Sequence, residues 1–443
     1  MLRYLLSITF TVFIAVSVSA QTATLAEEVK VGDTDRVAIS LTVNGKIKTT
    51  GADGKPDALS LQATATHRYA ERIDALDERG AVARAIRGYT ACESEAIMPG
   101  AKTKRTLPTN RKVIVVQKSP EGTTVYSPLG SLTRDELDVT AGHFDTTTLA
   151  GLLPGKAVAV GDSWTIPPAI VQAVCLFDGL TKHELVGKLI EVKDGAARFT
   201  IEGTAEGVEV GAAVKLTIAM KGTFDLATKR VVALSVEETD VREQGPVAPA
   251  CEVKAVLEMT RIKHAEDSVE LTAADRAKVS TDGKIAPGLL ALRHDDPASK
   301  YGFFYSRDWY IVASTNEHLV LRLVDRGNFV AQATVLGWKK VAPGSHASVV
   351  EIKDAIAKQP GWIAEKMTED GEIPTDAGRW LYRLVARGKQ DDVAVQQAFH
   401  LLAGPSGEQL VVTIIARVET ADKIGTRDVQ IVNSIDFPKR ESR

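Results

Sequence analysis

The sequence is poor in the residues that most often carry chemistry. Its 443 residues include only three cysteines, without a Cys-x-x-Cys pair or zinc-ligand spacing, which excludes a redox dithiol site. The eight histidines are scattered singly. His183 and Glu184 begin like the zinc-protease motif, but Gly187 stands where the second histidine is required. The sequence therefore predicts no metal site and no cofactor.

Two further enzyme signatures are missing. Neither a Gly-x-Gly-x-x-Gly nor a P-loop segment occurs, so no phosphate cradle is predicted. The tetrapeptide Gly404-Pro-Ser-Gly407 lacks the Gly-x-Ser-x-Gly spacing and is typical of a turn. The pair Asp295-Asp296 lacks the alternating oxygen ligands of a calcium loop.

An excess of basic charge is also missing. The chain has 54 basic and 57 acidic residues, for a formal net charge of −3. Proteins that bind nucleic acids usually have a basic surface, and so do proteins that bind anionic membranes. The sequence therefore predicts neither of them as a partner.

Long hydrophobic runs are absent except at the start of the chain. Arg3 precedes an apolar run from Tyr4 to Val16, and the small residues Val18 and Ala20 end the segment. This layout predicts a signal peptide at 1–20 with cleavage after Ala20. An uncleaved N-terminal anchor is the alternative, although the run is short for a membrane span. We expect a periplasmic or secreted protein without an integral membrane segment after cleavage.

The three cysteines are Cys92, Cys175 and Cys251. In an oxidising compartment one pair can form a disulfide and leave one thiol over. Cys175 and Cys251 each stand just ahead of a predicted strand in the same half of the N-terminal region. They are the predicted disulfide.

Alternation of apolar and polar residues dominates residues 30–263. Val37, Ile39, Leu41 and Val43 set the pattern, which is typical of strands with one face turned inward. Many such runs joined by tight turns predict a mainly β region, a curved antiparallel sheet or half-barrel. The runs fall into two series that divide near residue 160, which suggests a duplication. The only helix predicted here is 143–153.

Residues 264–300 break this pattern and are predicted to be a linker with one helix at 268–279. Residues 301–440 then predict an α+β domain. Its predicted strands are 303–312, 319–324, 329–336, 379–387, 393–402 and 409–416, and its helices begin after Ser345 and near Thr426.

Four of the five tryptophans fall in this C-terminal part. Trp309 and Trp380 are predicted to be core residues, because aromatic rings dominate the burial in a small domain. Trp338 and Trp362 lie at the ends of predicted elements and are the candidate interface residues.

Two segments carry a resemblance to a known family. Phe304-Tyr-Ser-Arg-Asp-Trp309 at the start of the C-terminal part and Val432-Asn-Ser-Ile-Asp-Phe437 at its end resemble the PsbP-like, or Mog-type, domain. The resemblance covers about residues 300–440. It implies an antiparallel sheet with flanking helices used for docking, and the family has no shared catalytic residues to carry over.

The N-terminal part more loosely resembles the curved sheets of periplasmic lipoprotein carriers, and exported bacterial proteins that share the step Val160-Gly-Asp-Ser-Trp164. This resemblance implies a half-open barrel around an apolar ligand. We therefore expect a non-catalytic cell-envelope protein that binds a lipid, another apolar ligand or an envelope protein partner. The alternative is a secreted hydrolase whose site gathers His67, His143 or His183 with distant carboxylates.

Overall fold

The computed structural model describes residues 21–50, 56–119, 122–141, 144–264, 269–298, 300–375 and 379–437. The predicted signal peptide at 1–20, the loop around Asp53 and His143 lie outside the described residues. The described chain is mainly β, with a curved antiparallel sheet followed by a second sheet flanked by helices. This is the predicted fold class.

The N-terminal part forms one large antiparallel sheet and one small pair of strands. The strands are β1 (Thr22–Leu25), β2 (Thr34–Thr50), β3 (Pro56–Leu76), β4 (Val82–Met98), β5 (Ala101–Thr106), β6 (Val113–Ser119), β7 (Gly122–Tyr126), β8 (Lys156–Ala159), β9 (Ser163–Thr165), β10 (Gly179–His183), β11 (Val186–Lys193), β12 (Ala196–Glu209), β13 (Ala212–Asp225), β14 (Arg230–Arg242) and β15 (Cys251–Lys263). The main order is β7-β6-β4-β3-β2-β15-β14-β13-β12-β11-β9; β5 pairs with β4, β10 with β12, and β1 with β8.

The two series of strands meet at the centre of this sheet, where β15 pairs with β2 from Lys263 and Asp35 to Cys251 and Ile47. Across the sheet from the β9 edge, the strands run from β9 to β15 and then from β2 to β7. Both series therefore cross the sheet in the same direction. The division near residue 160 falls between β8 and β9.

Short helices cover the inner face of the sheet, defined here as the face of Val37, Ile39, Leu41 and Val43. They are α1 (Arg134–Ala141), a 3-10 turn (Thr146–Leu152) and α2 (Pro168–Val174). The predicted helix at 143–153 is thus a 3-10 turn in the structure, capped by the Asp145 carboxylate, which accepts from Thr147 N at 3.1 Å. Neither α1 nor α2 was predicted.

A buried ion network fixes the 3-10 turn to the sheet. Arg87 Nε donates to Glu71 Oε2 at 2.7 Å, and its Nη2 donates to Asp145 Oδ1 at 2.7 Å. Arg87 and Glu71 are both almost fully buried. Buried charges are stable only when paired, so this turn is tied firmly to β3 and β4.

The linker packs closely on the outer face of the sheet. The predicted helix at 268–279 is wrong, because among its described residues, 269–279, only α3 (Ala273–Arg276) is helical. Ahead of it the backbone of Glu270 lies directly on Gly88, where an added Cβ would overlap the Glu270 carbonyl. Leu271 and Val279 are buried against the same face, beside β3, β4 and β6.

The end of the linker and the C-terminal part contain the remaining strands and helices. They are α4 (Pro287–Leu290), β16 (Leu292–Asp295), β17 (Gly302–Tyr305), β18 (Trp309–Ser314), β19 (His318–Asp325), β20 (Asn328–Trp338), α5 (Val349–Ala357), β21 (Trp362–Glu372), β22 (Trp380–Gln390), β23 (Val393–Ala403), β24 (Gln409–Arg417), a 3-10 turn (Val418–Ile424) and α6 (Arg427–Ser434). Strand order in the main C-terminal sheet is β18-β19-β20-β24-β23-β22-β21, and β16 pairs with β17.

Three predictions need correction here. The strand expected at 303–312 is two strands, because β17 pairs with β16 whereas β18 pairs with β19. Helix α5 is capped by the Ser348 side chain rather than by Ser345. Strand β21 was not predicted, and most of its residues are exposed.

Candidate functional site

A cavity of about 320 Å³ lies on the inner face of the N-terminal sheet. Its floor is formed by strands β2, β3, β4, β13, β14 and β15. Its cover is formed by Phe144 and by Val174–Phe177, the segment that begins at the last residue of α2. Pockets of this size, with mostly apolar walls, are the usual form of small-molecule sites.

The strand register shows why this part of the sheet is not filled. One row of neighbouring residues runs across five strands with small side chains at most positions: Ala96, Ala63, Val43, Ala255 and Glu238. The next row places Ser94 and Ala65 beside Leu41.

The same face is filled one or two rows farther along the same strands. Ile39, His67 and Met259 are buried there, followed by Tyr69 and Tyr89, whose rings lie 4.8 Å apart. The cavity therefore follows from alanine and serine at positions where the adjoining rows carry large side chains.

The cover is attached to β12 and to the residue that follows it, and one of the contacts is between backbones, because Asp178 N donates to the carbonyl of Val208 at 2.8 Å. The Phe177 ring lies on Gly207, where an added Cβ would overlap the ring. The Asp178 carboxylate accepts from Val210 N at 2.6 Å. Between these anchors and α2, Leu176 adopts a positive φ of 56° and is 37% exposed. The cover is thus held beside the cavity by packing, by one backbone hydrogen bond and by one charge-assisted hydrogen bond.

One end of the cavity is charged. Glu209, Glu238, Asp240 and Arg242 all line it. Arg242 Nη2 donates to Glu209 Oε2 at 2.6 Å and to Asp240 Oδ2 at 3.3 Å. Asp240 is 8% exposed, and its Oδ1 atom is buried without a hydrogen-bond partner. This group is called the acidic end below.

Burial at the acidic end favours protonated carboxyls. It raises the pKa of Glu238 to about 7, with further increases from Asp240 and Glu209 and a smaller opposing effect of Arg242. Burial also raises the pKa of Asp240 and of Glu209, again opposed by Arg242. Such a shift arises because the low-dielectric surroundings disfavour the charged form.

The predicted disulfide is not formed in the structure. Cys92, Cys175 and Cys251 are all free thiols. Cys175 belongs to the cover, whereas Cys251 stands at the end of β15 opposite Arg242. Burial raises the pKa of Cys175 to about 12 and also raises that of Cys251, so both thiols are neutral at physiological pH.

The candidate interface tryptophans do not form one surface. Trp362 is 6% exposed and lies in a core cluster with Ile352 of α5, so its side chain is not available at the surface. Trp338 is half-buried against the same cluster, and its interface role stays a prediction. Trp309 is fully buried, and Trp380 is half-buried, stacked at 3.8 Å on His346.

Of the three histidines named for a hydrolase site, His67 and His183 lie within the described residues, and the structure does not bring these two together. His67 is buried in β3 and its ring lies 6.0 Å from that of Tyr89, whereas His183 belongs to β10. Five strands separate β3 from β10 across the sheet. Among the described residues, His, Cys, Asp and Glu side chains form no group of three suited to a metal ion.

The sequence of β14 carries a pattern that indicates the acidic end. In β14, inward positions continue from Leu234 and Val236 to Glu238, Asp240 and Arg242. Three charged residues at consecutive inward positions of a strand indicate either a polar site or a strand end. Only the structure shows that they line a cavity.

No helix in the described ranges is both long and apolar enough to cross a membrane. No family model matches the chain, and no curated protein matches it either.

Among solved structures, the chain has a weak fold-level similarity to cyanobacterial PsbP from Synechocystis sp. PCC 6803, with 15% identity, a TM-score of 0.27, and coverage of 35% of this chain and 98% of that one. Lipovitellin gives a TM-score of 0.30 at 7% identity over 54% of this chain and 26% of its own. A protein from Bacteroides thetaiotaomicron gives a TM-score of 0.24 at 7% identity, with coverage of 34% of this chain and 50% of that one.

Proposed function

We propose that this protein works beyond the cytoplasmic membrane as a non-catalytic binding protein that holds an apolar molecule, such as a lipid, in the cavity of its N-terminal sheet. The observation that carries the proposal is the unfilled stretch of inner face between Val43 and Ala65. Filling apolar space stabilises a fold by about 0.8 kcal/mol for each buried methylene. Large side chains fill the neighbouring rows of the sheet, whereas the small side chains of this stretch leave room for a ligand.

The proposed location depends on the predicted signal peptide. If the mature chain is exported, protein recovered from the periplasm or the medium begins at Gln21. Sequencing of its N-terminus tests this directly. Recovery of the intact N-terminus from the cytosol would rule out the proposed location.

We infer that the C-terminal part, residues 301–440, is the docking part of the molecule and is of the PsbP-like kind. Trp338 is the candidate residue for contact with an envelope protein partner, since its ring is only partly covered. This role is independent of the cavity, so Trp338→Ala should leave ligand binding unchanged.

A cavity-filling variant tests the binding proposal. Ala63→Leu places an isobutyl group on the cavity floor, whereas Ala58→Leu adds the same group at an exposed position of the same strand. Nile red, a neutral dye that fluoresces in apolar surroundings, should bind the wild type and the Ala58→Leu control equally. Ala63→Leu should weaken that binding by about tenfold or more, as loss of ~1.4 kcal/mol requires.

The opposite result is equally clear. Equal binding of the dye by Ala63→Leu and the wild type would place the dye elsewhere, and absence of binding by the wild type would remove the proposed function.

A further inference from the structure

Charge at the acidic end is only partly neutralised. Three carboxyl groups face a single guanidinium, and Arg242 already donates to Glu209 and Asp240. The Glu238 carboxyl group lines the cavity and takes part in none of the side-chain hydrogen bonds or ion pairs found among the described residues. The other charged residues of the cavity lining already have partners, because Glu95 pairs with Lys102 at 3.0 Å and Arg105 with Asp135 at 2.5 Å.

The acidic end also has an unused acceptor. Asp240 Oδ1 is buried and has no hydrogen-bond partner, and the residue as a whole is 8% exposed. An ionised carboxylate can only accept hydrogen bonds, and a buried acceptor without a donor costs free energy. A ligand that brings donors and positive charge would satisfy both Asp240 and Glu238.

An anionic head group does not fit these surroundings. The one cation at this end is held by two carboxylates, so an incoming carboxylate or phosphate would face Glu238 and Asp240 without a free positive partner. Like charges at close range in a partly buried site repel strongly.

We propose that the natural ligand is an amphiphile with a cationic, ammonium-type head group. Its head is held by Glu238 and Asp240, and its apolar chain lies along Val43, Ala63 and Ala65. This inference rests on the proposed function, because it assigns the head group of the molecule that the cavity binds.

The arrangement predicts a pH dependence. Glu238, with a pKa of about 7 in the empty protein, is mostly neutral at pH 6 and mostly ionised at pH 8. The groups that face it are Asp240, Glu209, Arg242 and the thiol of Cys175, which remains neutral over this range. A cation binds the ionised form better, so its affinity should rise about fivefold between pH 6 and pH 8.

Three probes with the same twelve-carbon chain test the proposal by titration calorimetry below their aggregation concentrations. Dodecylammonium stays protonated from pH 6 to pH 8, as a lysine side chain does. It should bind more tightly than dodecanol, and dodecanoate should bind most weakly. Only dodecylammonium should bind more tightly as the pH rises.

Variants on β14 supply the controls. Glu238→Gln should weaken dodecylammonium binding by about tenfold and remove its pH dependence, since a charge-assisted hydrogen bond is lost. Dodecanol should still bind this variant, which shows that it is folded. Glu237→Gln changes the neighbouring exposed residue on the outer face and should behave as the wild type.

The results distinguish the two proposals. Tighter binding of dodecanoate or dodecanol than of dodecylammonium, or no effect of Glu238→Gln, would overturn the head-group assignment and leave the apolar cavity intact. If none of the three probes binds the wild type, the cavity proposal fails as well.

Discussion

Glu238 is a carboxyl group at a position where β14 would otherwise turn an apolar side chain inward. Val236 is the preceding residue on the same face. The residues paired with Glu238 are Ile218 on β13 and Ala255 on β15. Replacing Glu238 by an apolar residue would remove the free-energy cost of burying a carboxyl group. Its presence therefore fits a role in binding better than a role in stability.

The titration of Glu238 should make the ligand-free protein less stable as the pH rises. Its folded-state pKa of about 7 lies above the ordinary value of 4.5, so the contribution is full below pH 4.5 and is lost as the pH rises through 7. The difference corresponds to about 3 kcal/mol. Glu209 and Asp240 act in the same direction.

Urea unfolding of the wild type and of Glu238→Gln at pH 5 and pH 8 measures this effect. The free energy of unfolding should fall more steeply with pH in the wild type than in the variant. His400 is buried and its pKa is lowered to about 3, so it acts in the opposite direction, but equally in both proteins. Identical slopes would show that Glu238 titrates normally.

Among the elements, we expect the cover to control access to the cavity. Gly207→Ala adds a methyl group where the Phe177 ring lies and must displace that ring. We expect dissociation of Nile red to become faster and the protein to lose about 1–3 kcal/mol of stability, as overpacking usually causes. Gly337→Ala is the control, since nothing lies within 4 Å of the added atom. Stopped-flow dilution gives the rates; unchanged rates would show that the cover does not limit exchange.

Helix α1 joins the two parts of the molecule. Arg134 Nη2 donates to the carbonyls of Arg307 at 2.6 Å and Trp309 at 2.9 Å, and its guanidinium lies 4.5 Å from the centroid of the Tyr310 ring. A lysine cannot reproduce this planar contact. Arg134→Lys should therefore expose the linker to proteolysis earlier in a urea series than the wild type, and unchanged cleavage would assign Arg134 no such role.

At the scale of the whole molecule, alternation in the sequence predicted the sheets because one face of each strand is buried. It identified β2 and β24, but it missed β21, whose residues are mostly exposed, and α2, a short helix that starts at Pro168. The cavity was not predictable in this way. Ala63 and Ala255 follow the same alternation as core residues, and only the register shows that they share one row.

The central claim is that the N-terminal sheet binds an apolar molecule. Native mass spectrometry of protein purified from its own host tests it most directly. The account predicts a wild-type protein that carries a co-purifying small molecule, and an Ala63→Leu variant that lacks it. A wild-type protein with the bare mass of its polypeptide, or a variant that carries the same molecule, would contradict the account.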